Sequence, residues 1–341
     1  MMNIEEFIAK YPLATLPPMQ PSLEEILNAE KVSPTVIDHD YRGRTPQLWN
    51  MVYQKLGMPF VSFMVIASKT DTKSVVQDLK RIKNYIGGGL GVGHKDTAAR
   101  FFNLIDIEPS AIAMGSINLL VKDGNQLQGF NTDAEGFLKS LLDLGKIQQK
   151  KILILGAGGT ARAIAVQLFF SRAGQITILN RTPEKAQQIV NTIKVLNKEF
   201  PVEAFSESQY DLILNRCVDI IVNCTTKGAD GEFSEFSALA ETKSLSLNLK
   251  QSMQRLNKFL KNSQKANTKL IVADINLTSR KYEGKTTTTF LDQARGLGIQ
   301  TLNGEPMVLY QGIEAFWLVN KKYLKDSVTK DTVAEIMKSV M

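Results

Sequence analysis

Apolar and polar positions along this chain fall into a repeating rhythm of short buried-type runs and amphipathic stretches. From Lys151 the run KILIL (Lys151–Leu155) leads into a glycine turn and a stretch with helical spacing at 161–172. A second run QITILN (Gln175–Asn180) and a second helical stretch at 183–193 follow. Such alternation is the pattern of βαβ units on a parallel sheet. The apolar runs at 218–225 and 268–276 read as two further buried strands. Upstream, PFVSFMVIA at 59–67 reads as a strand, and 72–86 as a helix with Val75, Val76, Leu79 and Ile82 on one side. A shorter helical piece is expected at 96–105, and the runs at 116–121 and 126–130 flank a KDGN turn. A boundary between domains is expected in LLDLGKIQQK, just before Lys151, where a helix ends in polar residues and the βαβ run begins.

Composition narrows the class without naming a function. The 341 residues, 43% of them hydrophobic, suffice for about two domains with cores of their own. Two cysteines, Cys217 and Cys224, are too few for a disulfide scaffold and suit a reducing compartment. The stretch MMNIEEFIAKYP holds Glu5 and Glu6 and no long apolar run, so the expectation is a cytoplasmic protein without a membrane span. With 41 Lys and Arg against 34 Asp and Glu, the net charge of +7 favours anionic ligands. Much of that excess lies at 250–269, where Met253, Leu256, Phe259 and Leu260 recur at helical spacing between basic residues. This is the pattern of a packed helix with a solvated basic face, so no nucleic-acid partner is expected.

Two glycine clusters compete for the role of phosphate cradle. GAGGTA at 156–161 fits G-x-G-x-x-G/A, follows an apolar strand and opens a helix, as dinucleotide binding requires. Gly156 allows the tight turn, Gly158 lets backbone approach a pyrophosphate, and Ala161 lets the helix pack close to the strand. Ala157, Gly159 and Thr160 complete a helix N-terminus whose N–H groups and dipole favour phosphate. The next strand ends in Asn180, Arg181 and Thr182, where an NAD site carries an acid for the ribose hydroxyls. A guanidinium there pairs with a 2′-phosphate, so NADP is the expected cofactor and NAD the lesser one. The other cluster, GGGLGVGHK at 87–95, fails the P-loop pattern because His94 precedes Lys95 and Asp96 follows it. Lys95 therefore needs an explanation outside a phosphate loop.

The segments GSINLLVKDGNQLQGFNTDAEGF at 115–137, GAGGTARA with NRT, DIIVNCTTKG at 219–228 and NGEPMVLYQGIEAFWL at 303–318 together resemble the motifs of the shikimate dehydrogenase family. They cover roughly residues 35 to 320 in the family's order, which makes the resemblance far more specific than any one motif. It implies an α/β protein with an N-terminal substrate domain (1–145, of which 1–30 is an extension), a Rossmann NADP-binding domain (146–303) and C-terminal helices at 304–341 that return to the first domain. It implies reversible hydride transfer between NADP and a hydroxylated or keto cyclic carboxylic acid, shikimate and 3-dehydroshikimate first. Lys95 falls on the family's catalytic lysine and Asp133 on its partner aspartate. A lysine beside a carboxylate can take the hydroxyl proton in oxidation and return it in reduction. Asn118 and Gln311 fall on substrate-binding positions, and Asn223 and Thr225 lie in the segment that resembles the cofactor domain. No metal is implied, and a monomer or homodimer is expected.

The substrate half departs from the family pattern more than the cofactor half does. Where the family has Ser-x-Ser-Pro to hold the substrate carboxylate, this chain has Gly43, Arg44, Thr45 and Pro46. Thr45 keeps one hydroxyl, and Arg44 is a candidate replacement for the other. In the lysine segment, Gly89, Gly91 and Gly93 stand for Asn, Thr and Pro, which predicts a wider pocket and a looser loop. Leu277 replaces a tyrosine and Leu119 a threonine. The alternatives these losses suggest are a quinate-type or secondary-metabolism dehydrogenase, or a nucleotide-sensing relative without catalysis.

Overall fold

The computed structural model describes residues 2–91, 93–101, 103–213, 216–228, 249–267, 269–277 and 287–341, with Phe236 and Ala238. Val92, Phe102 and Thr268 lie outside the described residues, as do the side chains of Met253 and Leu256. The chain divides into two units, Met1–Gly136 with Leu309–Met341, and Phe137–Val308. The division falls inside the helix Thr132–Leu142 and, further on, inside the helix Glu305–Asn320.

In the first unit, β1 (Lys31–Ile37) pairs in parallel with β2 (Phe60–Ile66). The short β3 (Gly87–Gly89) pairs antiparallel with β5 (Leu119–Asp123), β5 with β6 (Gln126–Phe130), and β6 in parallel with β4 (Asp106–Ile107). Bridges from Val32 to Tyr85 and from Val36 to Leu90 bring β1 alongside β3. One face of these strands buries Val32, Val36, Phe63 and Val65 against Val75, Val76 and Leu79 of the helix Thr72–Arg81. A separate core gathers Leu48, Trp49 and Val52 of the helix Thr45–Lys55 with Phe316 and Val319 of the returning C-terminal helix. Residues 1–30 are part of this unit. Phe7 and Ile26 enter its core, and Leu13 bridges Val65, covering the outer edge of β2 that would otherwise present open hydrogen-bonding groups.

Three local readings of the sequence need correction here. The helix expected at 72–86 ends at Arg81, and Ile82 turns extended (φ −74°, ψ 123°). The reason is that Tyr85 and Ile86 serve as rungs beside Val32, with Ile86 N–H donating to the Val32 carbonyl at 3.2 Å. The piece expected at 96–105 is helical only over Lys95–Ala98. The start of the glycine segment, Gly87–Gly89, is a strand and not a loose loop. A Cβ on Gly88 would overlap the Pro34 carbonyl oxygen, and one on Gly89 would sit 2.7 Å from Thr35 Oγ1. These glycines let β3 press against β1, so the missing side chains produce closeness where breadth was expected.

The second unit is a doubly wound sheet of six parallel strands. They are β7 (Lys151–Leu155), β8 (Gln175–Asn180), β9 (Val202–Ser206), β10 (Ile220–Asn223), β11 (Ile271–Asp274) and β12 (Gln300–Leu302), in the order β12-β11-β10-β7-β8-β9. Starting from β7 the order runs outward to β9 on one side and to β12 on the other, the Rossmann arrangement. Its switch point lies between β7 and β10, so the crevice at their carboxyl ends is where such sheets take ligands. Leu153, Ile221 and Val272 bury one face against Phe259, Leu260, Phe290 and Leu291, which confirms Phe259 and Leu260 as core positions of the helix Leu249–Ala266.

Candidate active site

Lys95 begins a four-residue helix that is anchored by its neighbour. His94 is wholly buried, with Nδ1 2.9 Å from Thr72 Oγ1 and Nε2 3.0 Å from the Ala67 carbonyl. Burial pushes the His94 imidazole below its ordinary pKa, so the ring is a neutral fixture. Asp133 lies in the first turn of the helix Thr132–Leu142, where the macrodipole favours a carboxylate. Asn131 accepts from the Ala134 N–H and fixes that helix start.

The Lys95 Nζ donates to Asp133 Oδ2 at 2.6 Å, with 31% and 16% of the two side chains exposed. Asn118 Nδ2 donates to Asp133 Oδ1 at 2.9 Å, while Asn118 Oδ1 accepts from the Thr132 N–H at 2.7 Å. One carboxylate oxygen is thus held by the amide and the other faces the ammonium. Burial by itself would depress the Lys95 pKa. The charge and hydrogen bond of Asp133, with smaller help from Tyr41 and Asp96, outweigh it and hold the lysine above its ordinary value.

These groups line one cavity of about 110 Å³ within the first unit, room for a single small molecule. Thr45 and Gln311 face it with them, and Leu48, Trp49 and Ala315 form an apolar wall. Gln311 Oε1 lies 3.5 Å from both Asn118 Nδ2 and Thr132 Oγ1. Arg44 is elsewhere: it stands just before the helix Thr45–Lys55 without capping it by its side chain, its guanidinium is 3.2 Å from Met341 Sδ, and it is not among the residues lining the cavity. Two hydroxyl-bearing lining residues, Thr35 and Tyr41, were not suggested by the sequence. Nor was the anchoring role of His94. Each depends on a contact between segments distant in the chain.

In the second unit, Gly156 has φ +105°, and a Cβ there would sit 2.9 Å from the Cys224 carbonyl, so only glycine fits. A Cβ on Gly158 would meet nothing within 4 Å, and no side chain caps the helix Gly159–Phe170 that it opens. Open space beside uncapped N–H groups is what a dinucleotide pyrophosphate at 156–161 would require. Arg181 is exposed at the end of β8, beside Asn180, whose amide donates to the Thr182 carbonyl at 2.8 Å. Asn223 has no exposure: its amide donates to Asp274 Oδ2 at 3.0 Å and to the Lys227 carbonyl, and its Oδ1 accepts from both Thr225 N–H and Oγ1. It therefore shapes the loop after β10 from within.

A Rossmann unit in one part of the chain and, in the other, an α/β unit that holds an ordered lysine–carboxylate pair are the features of a nucleotide-dependent oxidoreductase. The family profile described as Shikimate / quinate 5-dehydrogenase matches residues 139–229. The NADP(+)-dependent shikimate dehydrogenase of Alkaliphilus metalliredigens is 31% identical over 280 residues, 80% of this chain and 86% of the relative. The enzyme of the same name from Methanothermobacter thermautotrophicus is 28% identical over 80% and 84%. The chain belongs to the shikimate dehydrogenase family. In fold, it superposes with a TM-score of 0.71 on the shikimate 5-dehydrogenase of Listeria monocytogenes solved with shikimate and NAD, at 24% identity, covering 90% of this chain and 96% of that one.

Proposed function

We propose that this chain is an NADP-dependent shikimate dehydrogenase of the cytoplasm, monomeric or homodimeric, that interconverts the ring alcohol of shikimate and the ketone of 3-dehydroshikimate. The observation that carries the reading is the Lys95–Asp133 hydrogen bond, set by Asn118 inside a small cavity. The first unit takes the substrate, and the second takes the cofactor on 156–161, Arg181 and the loop after β10. NADP+ supplies the hydride acceptor. Lys95 then handles the proton: its ammonium donates to the oxygen as the ketone is reduced, and its amine receives the hydroxyl proton as the alcohol is oxidised. Asp133 holds the lysine against the reacting oxygen and shares its proton. Gln311 and Thr45 offer hydrogen bonds to the ring substituents. The retained lysine–aspartate contact favours this over a non-catalytic relative, and the names of the relatives favour shikimate over quinate.

The test is formation of NADPH by the purified protein with shikimate, beside quinate and beside NAD+. The expected result is turnover of shikimate with NADP+ preferred. Arg181→Ala should narrow the preference for NADP+ over NAD+ by about 10- to 100-fold, the worth of one charge-assisted contact to a phosphate. An unchanged ratio would remove Arg181 from the cofactor site.

A further inference from the structure

The space vacated by two missing side chains is filled by one residue. Gly43 and Gly91 stand where the family pattern has hydroxyl-bearing Ser and Thr. In this structure a Cβ on Gly43 would sit 3.3 Å from Tyr41 Cε2, and a Cβ on Gly91 would sit 3.1 Å from the Tyr41 hydroxyl. The Tyr41 ring thus lies against both glycines. It packs against the small cluster of Ala14, Ile37 and Met64 and lines the same cavity as Lys95, Asp133 and Thr45. Side chains at the two glycine positions would crowd it: the Gly91 Cβ would also come within 2.5 Å of Ile37 Cγ2, and the Gly43 Cβ within 2.6 Å of Met64 Sδ.

We propose that Tyr41 is a substrate-binding residue of this chain, its phenol hydroxyl donating to the carboxylate of the cyclic acid in the Lys95 cavity. The hydroxyl contact has moved from two positions to a third, and the glycines are what give that third position its room. The assignment rests on the dehydrogenase reading above. A phenol is well suited to the task because its O–H gives a charge-assisted bond to a carboxylate while its ring stays packed on apolar neighbours. A residue that binds the carboxylate acts equally on ground and transition states, so its loss should appear in KM.

Tyr41→Phe keeps the ring and removes the hydroxyl. The expected result is a KM for shikimate about tenfold higher, kcat within about twofold of wild type, an unchanged KM for NADP+, and a smaller penalty on the uncharged methyl ester. A KM for shikimate equal to wild type, or an equal penalty on acid and ester, overturns the assignment while leaving the dehydrogenase intact. Absence of turnover by the wild-type protein overturns the dehydrogenase reading itself, and this assignment with it. A fall in kcat alone assigns Tyr41 to the chemical step and overturns carboxylate binding.

Discussion

Lys95→Ala lowers kcat/KM for shikimate oxidation by about 10²- to 10⁴-fold, the range of a positioned general acid–base group. The side chain sits in a cavity lined by polar groups that remain when it is removed, and Asp133 keeps its bond from Asn118. The fold should therefore survive, since the residue is held by one ion pair and its backbone carbonyl still accepts from the Ile117 N–H. The loss belongs mainly to kcat, because the proton moves only as the reaction proceeds, whereas binding is carried by other side chains. Steady-state kinetics together with a thermal melt check both halves. A variant that melts like wild type and turns over like wild type would end the proposed role.

The second large effect concerns one glycine from each cluster, Gly88 and Gly158, which have opposite requirements. Gly88→Ala should cost about 3 kcal/mol of stability or more, measured by urea unfolding, because the added methyl overlaps backbone that cannot rotate away. Gly158→Ala, whose φ of −78° suits any residue and whose Cβ would meet nothing, should melt within about 0.5 kcal/mol of wild type. Its damage should appear instead as weaker NADP+ binding, since the methyl fills the space the pyrophosphate needs. The two variants separate a glycine used for packing from a glycine used for ligand approach. Equal stability losses in both would contradict the contrast.

The same contrast explains what could be read from the sequence. The dinucleotide turn was legible because its whole requirement is local: a strand, a turn with a positive-φ glycine and a helix follow one another between Lys151 and Phe170. The sheet around it was legible in its apolar runs, except the edge strands β9 and β12, which are short and only partly buried, so polar residues interrupt the pattern. The meaning of GGGLGVGHK was not legible. The atoms that demand glycine there belong to Pro34, Thr35 and Ile37, some fifty residues earlier, and β1 itself is hidden by its central proline. Tyr41 and His94 escaped for the same reason: a tyrosine in a charged stretch and a histidine after glycines look ordinary until long-range contacts place one in a cavity and the other in the core. Arg44 was the reverse case, a charge in a suggestive position whose side chain lies against Met341.

Lys95 moving the proton under the control of Asp133 leaves a signature in the pH dependence of shikimate oxidation. Because Asp133 holds the Lys95 pKa above the ordinary lysine value, the reactive amine is scarce at neutral pH, and wild-type kcat/KM should still be climbing at about pH 10. Asp133→Asn removes the charge that raises that pKa and leaves burial, which lowers it, so the variant should be slower but level off at a lower pH. A wild-type profile already flat at neutral pH, or a variant whose profile keeps the wild-type shape, would contradict the account.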